Sequence, residues 1–334
     1  MNIPLEVKPE GLYCTAGDFY IDPWYPVSKC VVTHGHGDHA RWGNEHYIAA
    51  KDSEEILKQR IGPSIPLQTL SYHEKIKLKN AWVSLHPAGH ILGSAQVRIE
   101  TSTGVYVISG DYKRAPDPTC LPFEVLECDL FVTESTFALP IYQWEDNEKI
   151  ARQIYEWWQE NAANDHPSVL FCYALGKAQR ILSLLQELAT RPIYLHGAIL
   201  PFAEIYKNHG ASLAPFAAVM ERDKSLPFSK ELILAPPSAA GTPWLKRFPG
   251  FRTALASGWM QIRGARRRNG MDRGFVLSDH ADWDNLIKTI KETKATKVLT
   301  THGSALVLAK FLQEDCKIDA QELKGLESTD EGEG

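Results

Sequence analysis

Six consecutive positions, His34 to His39, carry three imidazoles and a carboxylate in the run Thr33-His34-Gly35-His36-Gly37-Asp38-His39-Ala40, directly after an apolar stretch at 27–33. In an extended or turning backbone successive side chains point to opposite sides, so His34 and His36 can share one face while Asp38 and His39 turn toward a neighbouring point. Gly35 and Gly37 permit the positive φ and close backbone approach that a loop wrapped on an ion requires. Imidazole suits zinc, and carboxylate suits zinc or a harder ion, so the mixed set points to two adjacent divalent metals, zinc or manganese. The alternative is a polar loop with solvated histidines, but four ligands in six positions after a strand argue for metal.

Other residues are judged by whether they can reach this loop. His90, in Pro87-Ala88-Gly89-His90-Ile91-Leu92-Gly93-Ser94, and Asp111, in Gly110-Asp111-Tyr112, each follow a strand and adjoin glycine, where a side chain can project into a cleft. Alone, either reads as structural; with the first cluster they add an imidazole and a carboxylate able to bridge two ions. Asp22 either supports the ligand loop or is an ordinary turn aspartate before Pro23. Arg263, Arg266, Arg267, Arg268 and Arg273 place five arginines within eleven residues of an otherwise acidic chain. Arginine suits bidentate phosphate contact, so this stretch by itself reads equally as an anion site or a solvated loop, and beside the metals as a phosphate site. Gly176-Lys177 lacks the first glycine of G-x-x-x-x-G-K and is no phosphate loop, leaving Lys177 as a weaker phosphate candidate. His46, His73, His86, His166, His196 and His209 have no partner spacing and read as structural.

The elements that would position these residues follow from period and punctuation. Short strands are expected at 11–15, 19–22, 29–33 and 47–50, a short helix at 40–43 after the ligand loop, and a surface helix at 51–61. Paired strands at 75–85, then strands at 95–101, 105–109 and 129–133, lead to Thr133-Glu134-Ser135-Thr136. Beyond Pro140 helices at 147–159, 178–188 and 199–208 alternate with strands at 168–173, 193–196 and 232–236, which implies a small parallel sheet in a separate or inserted domain. Strands at 251–258, 275–277 and 297–301 and helices at 283–293 and 306–313 complete the chain, with an acidic tail from Glu327 read as disordered.

The 334 residues, 44% hydrophobic and 23% charged, suffice for a large core in one or two domains. A net charge of -5 advertises no polyanion partner, so any nucleic-acid contact must come from local clusters. No apolar stretch approaches the roughly 20 residues that cross a bilayer, and Met1-Asn2-Ile3-Pro4-Leu5-Glu6 is no signal peptide, so no membrane partner and a cytoplasmic location are expected. Six cysteines without a C-x-x-C pair indicate neither a zinc knuckle nor a disulfide framework.

The order H-x-H-x-D-H, a Gly-flanked His, a Gly-Asp and a late His resembles the metallo-β-lactamase fold. Thr133-Glu134-Ser135-Thr136, Gly176-Lys177-Ala178-Gln179, Ser278-Asp279-His280 and Thr301-His302-Gly303 resemble its β-CASP branch of DNA and RNA nucleases. Gly258-Trp259-Met260 with the arginine stretch, and 275–283, are similar to the bacterial ligase-associated DNA exonucleases. The resemblance covers the chain except its tail. It implies an α/β fold, an αββα sandwich with an inserted β-CASP domain, divided as 1–141, 142–263 (the β-CASP cap), 264–326 and a tail at 327–334. It implies His34, His36 and His90 on one ion, Asp38, His39 and His302 on the other, Asp111 bridging, and Asp22 ordering the loop. Glu134 would orient His280 as proton donor, and Asp38 would accept the proton of the attacking water. DNA, single-stranded or with free ends, is the implied substrate, and a DNA ligase the implied functional associate. Artemis-like DNA enzymes usually carry valine where this chain has His302 and RNA-processing members carry histidine, but the ligase-associated group also has the histidine, so DNA stays first and RNA is the alternative. A thioester or lactam hydrolase would share the first cluster but would need neither the inserted domain nor the arginines.

Overall fold

The computed structural model describes residues 3–223, 226–262, 264 and 270–325. Arg263, Arg266, Arg267 and Arg268 and the acidic tail from Glu327 lie outside the described residues. The chain divides into two compact units, one containing the residues up to Gln143 and from His280 onward, the other running from Trp144 to Asp279.

The first unit holds two sheets. Six strands run in spatial order β1 (Leu5–Lys8), β2 (Gly11–Cys14), β3 (Phe19–Ile21), β4 (Cys30–Val31), β5 (Tyr47–Ala50) and β6 (Leu67–Leu70). The second sheet contains β7 (Lys75–Leu78), β8 (Ala81–Pro87), β9 (Ala95–Thr101), β10 (Gly104–Ile108), β11 (Leu130–Glu134), β18 (Lys297–Thr301) and β19 (Asp319–Glu322), ordered β19-β18-β11-β10-β9-β8-β7. Alternation along the strands assigns each face. Val31, Ile48, Val97, Ile108 and Val132 meet in the core between the sheets, whereas their neighbours Cys30, Ala49, Val107 and Phe131 point outward. The outer face of the first sheet is covered by α1 (Glu54–Ile61) through Leu57. The outer face of the second is covered by α5 (Trp283–Glu292) and α6 (Ala305–Glu314) through Leu286, Ile290, Leu308 and Leu312. Helix, sheet, sheet and helix stack in that order, the expected αββα sandwich.

The second unit is built on six strands, all paired in parallel: β14 (Phe216–Ala218), β13 (Ile193–Leu195), β15 (Leu232–Ala235), β12 (Ser168–Phe171), β16 (Arg252–Ala256) and β17 (Arg273–Phe275). One face packs on α2 (Asn147–Ala163), α3 (Lys177–Leu184) and α4 (Leu200–Asn208) through Ile154, Trp158, Ile181 and Ala203. The other face packs Val169, Phe171 and Ile233 against Leu245 and Phe248. Strands buried on both faces read as continuous apolar runs, which is why 168–173 and 232–236 are visible in sequence. The unit runs past the expected boundary at 263 because β17 pairs in register with β16, Ala256 opposite Phe275, and so belongs to this sheet.

No helix forms at 40–43. A turn closes earlier, with the Ala40 amide donating to the His36 carbonyl at 2.8 Å. The Arg41 carbonyl is taken by the Tyr47 hydroxyl at 2.8 Å and by the Asn44 side-chain amide at 3.3 Å, which removes it from any helical ladder. Among the described residues no helix is long and apolar enough to cross a membrane.

Candidate metal centre

The ligand loop leaves β4 and turns at once, so its side chains collect at one edge of the sandwich. Nδ1 of His36 lies 3.1 Å from Nε2 of His34 and 3.0 Å from Nε2 of His90. Asp111 Oδ2 lies 3.5 Å from Nε2 of His34, 3.8 Å from Nε2 of His90 and 3.4 Å from Nε2 of His39. One ligand atom from each of His34, His36, His90 and Asp111 falls within 4.8 Å of all the others. Two ligands at about 2.0–2.1 Å from a tetrahedral ion lie about 3.3 Å apart, close to these spacings. Three ring nitrogens turned toward one point are poorly explained by hydrogen bonding alone, because one Nδ1 cannot satisfy two rings at once. The donor set therefore fits a divalent cation.

A second group is tied together through His39. Its Nε2 lies 3.6 Å from Asp38 Oδ2 and 3.4 Å from Asp111 Oδ2, and its ring centroid is 5.7 Å from that of His302. Asp111 Oδ2 is common to both groups, the position a bridging carboxylate occupies. A cavity of ≈ 50 Å³ opens beside Asp38, His39 and His302, and buried Thr301 Oγ1, which has no hydrogen-bond partner, belongs to a residue of its lining.

Backbone conformation delivers the distant members. Gly110, with φ +56°, turns β10 toward Asp111, and a Cβ there would come within 2.8 Å of Thr33 Cβ. His302 and Gly303 adopt φ of +60° and +56°. A Cβ on Gly303 would meet the Ser135 carbonyl at 2.5 Å, so only glycine lets the turn lie on the end of β11. The Ser135 hydroxyl donates to the carbonyls of Thr301, at 2.8 Å, and of His302, fixing the turn from below.

Asp22 holds the loop from behind. Oδ1 accepts the Thr33 amide at 2.8 Å and Oδ2 accepts the Thr33 hydroxyl at 2.6 Å, with Oδ2 also 2.7 Å from Nδ1 of His39. The carboxylate thus accepts the Nδ1–H hydrogen bond and turns Nε2 of His39 toward Asp38 and Asp111, as the ligand atom for a cation. Burial and His39 push His34 well below the usual histidine range, and the same two causes lower His302, so both rings stay neutral. Burial opposes charge on His39, but Asp111, Asp38 and Asp22 outweigh it and raise the ring well above that range. Burial also opposes ionisation of Asp111, yet His39 and His280 hold it well below the carboxylate range.

Beside this cluster, Nδ1 of His280 lies 2.8 Å from Glu134 Oε2, and the Tyr112 amide donates to Glu134 Oε1 at 2.7 Å. Asp111, Glu134 and His280 form a further group whose ligand atoms lie within 4.8 Å of one another.

Relatives match the chain over different shares of its length. Over 93% of the chain, 30% of residues are identical to a protein of Opitutus terrae named probable DNA ligase. Over 84% of it, 24% are identical to an RNase J-like protein of Methanocaldococcus jannaschii. Over 52%, 26% are identical to cleavage and polyadenylation specificity factor 73 of Drosophila melanogaster. These likenesses agree with the resemblance of the chain to the metallo-β-lactamase-fold β-CASP nucleases. It spans 30%, 77% and 27% of the lengths of those three proteins. A crystal structure of an Enterococcus faecalis protein of unknown function superposes over 90% of the chain and 80% of that protein, with a TM-score of 0.60 at 13% identity, and shares the fold. No family model matches the chain.

Within this chain, His34, His36, Asp38, His39, His90, Asp111 and His302 collect at the sandwich edge, with Asp22, Glu134 and His280 beside them. Lys177 does not join a phosphate-binding surface. It is fully buried, with Nζ 3.5 Å from Asp279 Oδ2 and 4.8 Å from the Tyr173 ring, so an intramolecular ion pair takes the charge that a phosphate would need. Arg273 is exposed on β17, its guanidinium 5.2 Å from the Phe275 ring. Residues beyond the sequence reading also matter. Thr33 links Asp22 to His34, its Oγ1 3.0 Å from Nδ1, and the Ser109 hydroxyl accepts the Glu134 amide at 3.3 Å. The Arg60 guanidinium of α1 lies where a Cβ on Gly37 would stand, beside the ligand loop. Nothing in the spacing of a helix surface arginine signals that contact.

Asp22→Asn tests the support of His39. The amide cannot accept both the Thr33 and His39 donors, and metal affinity should fall about 10–100-fold as for other supporting carboxylates. Competition with a chromophoric chelator measures this, and an unchanged affinity would remove Asp22 from the site.

Proposed function

We propose that the chain is a metal-dependent phosphodiesterase acting on DNA, an exonuclease that works beside a DNA ligase. The observation that carries this reading is the His280–Glu134 pair, 2.8 Å apart and within the same 4.8 Å neighbourhood as Asp111, since it adds a proton donor to a metal-ligand cluster. His34, His36 and His90, with Asp38, His39, His302 and Asp111, would hold two divalent ions, zinc or manganese, which when bound would supply Lewis acidity toward water and phosphate.

The protein's own groups supply the rest. Asp38 takes the proton that the attacking water gives up. Glu134 accepts from Nδ1 of His280, so Nε2 is the ring atom that gives a proton to the leaving oxygen, a contribution of about 10²–10⁴-fold in such reactions. The Tyr112 amide on the other Glu134 oxygen keeps that carboxylate from turning away. Arg263, Arg266, Arg267, Arg268 and Arg273 grip backbone phosphates without reading sequence.

The ligase-named relative supports DNA, because it matches nearly the whole chain at the higher identity. The relatives named for RNA processing, and a histidine at 302, favour a second reading as a ribonuclease. End-labelled single-stranded DNA and RNA, offered with and without chelator, separate the two. DNA is expected to be shortened from an end and to survive when metal is removed. Cleavage of RNA alone would overturn the DNA reading, and activity persisting without metal would overturn the mechanism.

A further inference from the structure

We propose that His73, His86 and Glu124 form an additional divalent-cation site, chemically a two-imidazole, one-carboxylate site for an ion of zinc type, separate from the cluster around Asp111. It does not depend on the nuclease reading. The three residues are far apart in sequence and meet at the end of β8. Glu124 Oε2 accepts from Nε2 of His73 at 2.6 Å and lies 3.2 Å from Nδ1 of His86. The ligand atoms of all three fall within 4.8 Å of one another, and the two rings cross edge to face at 4.8 Å. A tetrahedral shell sets neighbouring ligands about 3.3 Å apart, so His86 and Glu124 already stand at that spacing. His73 must retreat by only about 0.7 Å to match it, and its side chain is 59% exposed and free to do so.

The surroundings are arranged as they are around a bound ion. The Ser84 hydroxyl lies 3.0 Å from Nε2 of His86, placing a polar partner on the ring atom opposite the ligand and leaving Nδ1 as the donor. His73 holds φ of +69°, an uncommon conformation for a non-glycine residue, while its amide donates to the Leu85 carbonyl at 2.9 Å. Glu124 is anchored equally. Its amide donates to Pro87 O at 3.2 Å, and the Gln96 side chain donates to the carbonyls of Pro87 and Glu124 at 3.0 and 2.7 Å. Two imidazoles and one carboxylate select a zinc-class ion over magnesium, and the exposed side of His73 leaves a position for water. Such an ion would clip the segment that follows Asp111 to the strand that leads into His90, where the Lys113 amide already donates to Ala88 O at 3.1 Å.

The full chain, loaded with zinc and desalted, is expected to carry one more equivalent than either His73→Asn or Glu124→Gln. Asparagine is chosen because it tolerates positive φ, and His73 is exposed enough that the variant should fold. Zinc titration against a chromophoric chelator should show that equivalent at least about 10-fold weaker in each variant. The loss should add to that of His36→Ala in the double variant His36→Ala/His73→Asn. Equal stoichiometry and affinity in wild type and both single variants would reduce the triad to an ion pair and overturn the proposal. So would a non-additive double variant, which would mean that His73 acts only through the Asp111 cluster.

Discussion

His280→Ala is expected to slow phosphodiester cleavage by about 10²–10⁴-fold while the protein keeps its metal, whereas His36→Ala loses metal and activity together. The difference follows from what each ring faces. His36 Nδ1 points at two other imidazole nitrogens at 3.0 and 3.1 Å, and its removal opens the tightest part of the cluster. His280 commits Nδ1 to Glu134, and although its ring centroid is 4.7 Å from that of His90, it stands outside the group of His34, His36, His90 and Asp111. Metal content by elemental analysis and single-turnover rates measure both effects. A phosphodiester with an acidic phenol as leaving group needs no proton, so the His280→Ala defect should shrink on it. Equal metal loss in the two variants would show that His280 is a ligand instead.

The second large effect lies in the other unit. Asp279→Asn should destabilise that unit by about 3–5 kcal/mol, the range for removing one partner of a buried pair. Asp279, Lys177 and Arg180 are all buried. The carboxylate stands 3.5 Å from Lys177 Nζ and 3.3 Å from Arg180 Nη1, and Arg180 also reaches the Ser278 carbonyl and Asn147 Oδ1. Without it two buried cations lose the carboxylate that they share. Hydrogen exchange of the β12 and α3 amides in the full chain reads the local opening. A loss under about 1 kcal/mol would mean that water reaches the cluster.

Lys177 and the apolar runs around it show how far a linear pattern carries in that unit. Lys177 after Gly176 suggested a phosphate contact, and burial turned it into half of an ion pair. The apolar runs around it, by contrast, announced a parallel sheet, because strands covered on both faces have few polar positions to disguise them.

The sequence by itself determined the ligand loop, since ligands two to five residues apart need only a turn to converge. It also determined most strands and helices, because period and glycine punctuation act locally. It suggested His90, Asp111, Glu134, His280 and His302 as partners only through resemblance and through their place at strand ends. What brings them within reach is strand register. Glu134 lies opposite Thr301 in the parallel pair β11 and β18, and Tyr106 opposite Leu130 in β10 and β11, so three widely separated segments end at one level. Register depends on which faces pack, a property of the whole sandwich that no local pattern carries. The same reason hid His73, His86 and Glu124. Read singly they have no partners, and only the β7–β8 hairpin and the anchoring of Glu124 on Pro87 bring their ligand atoms together.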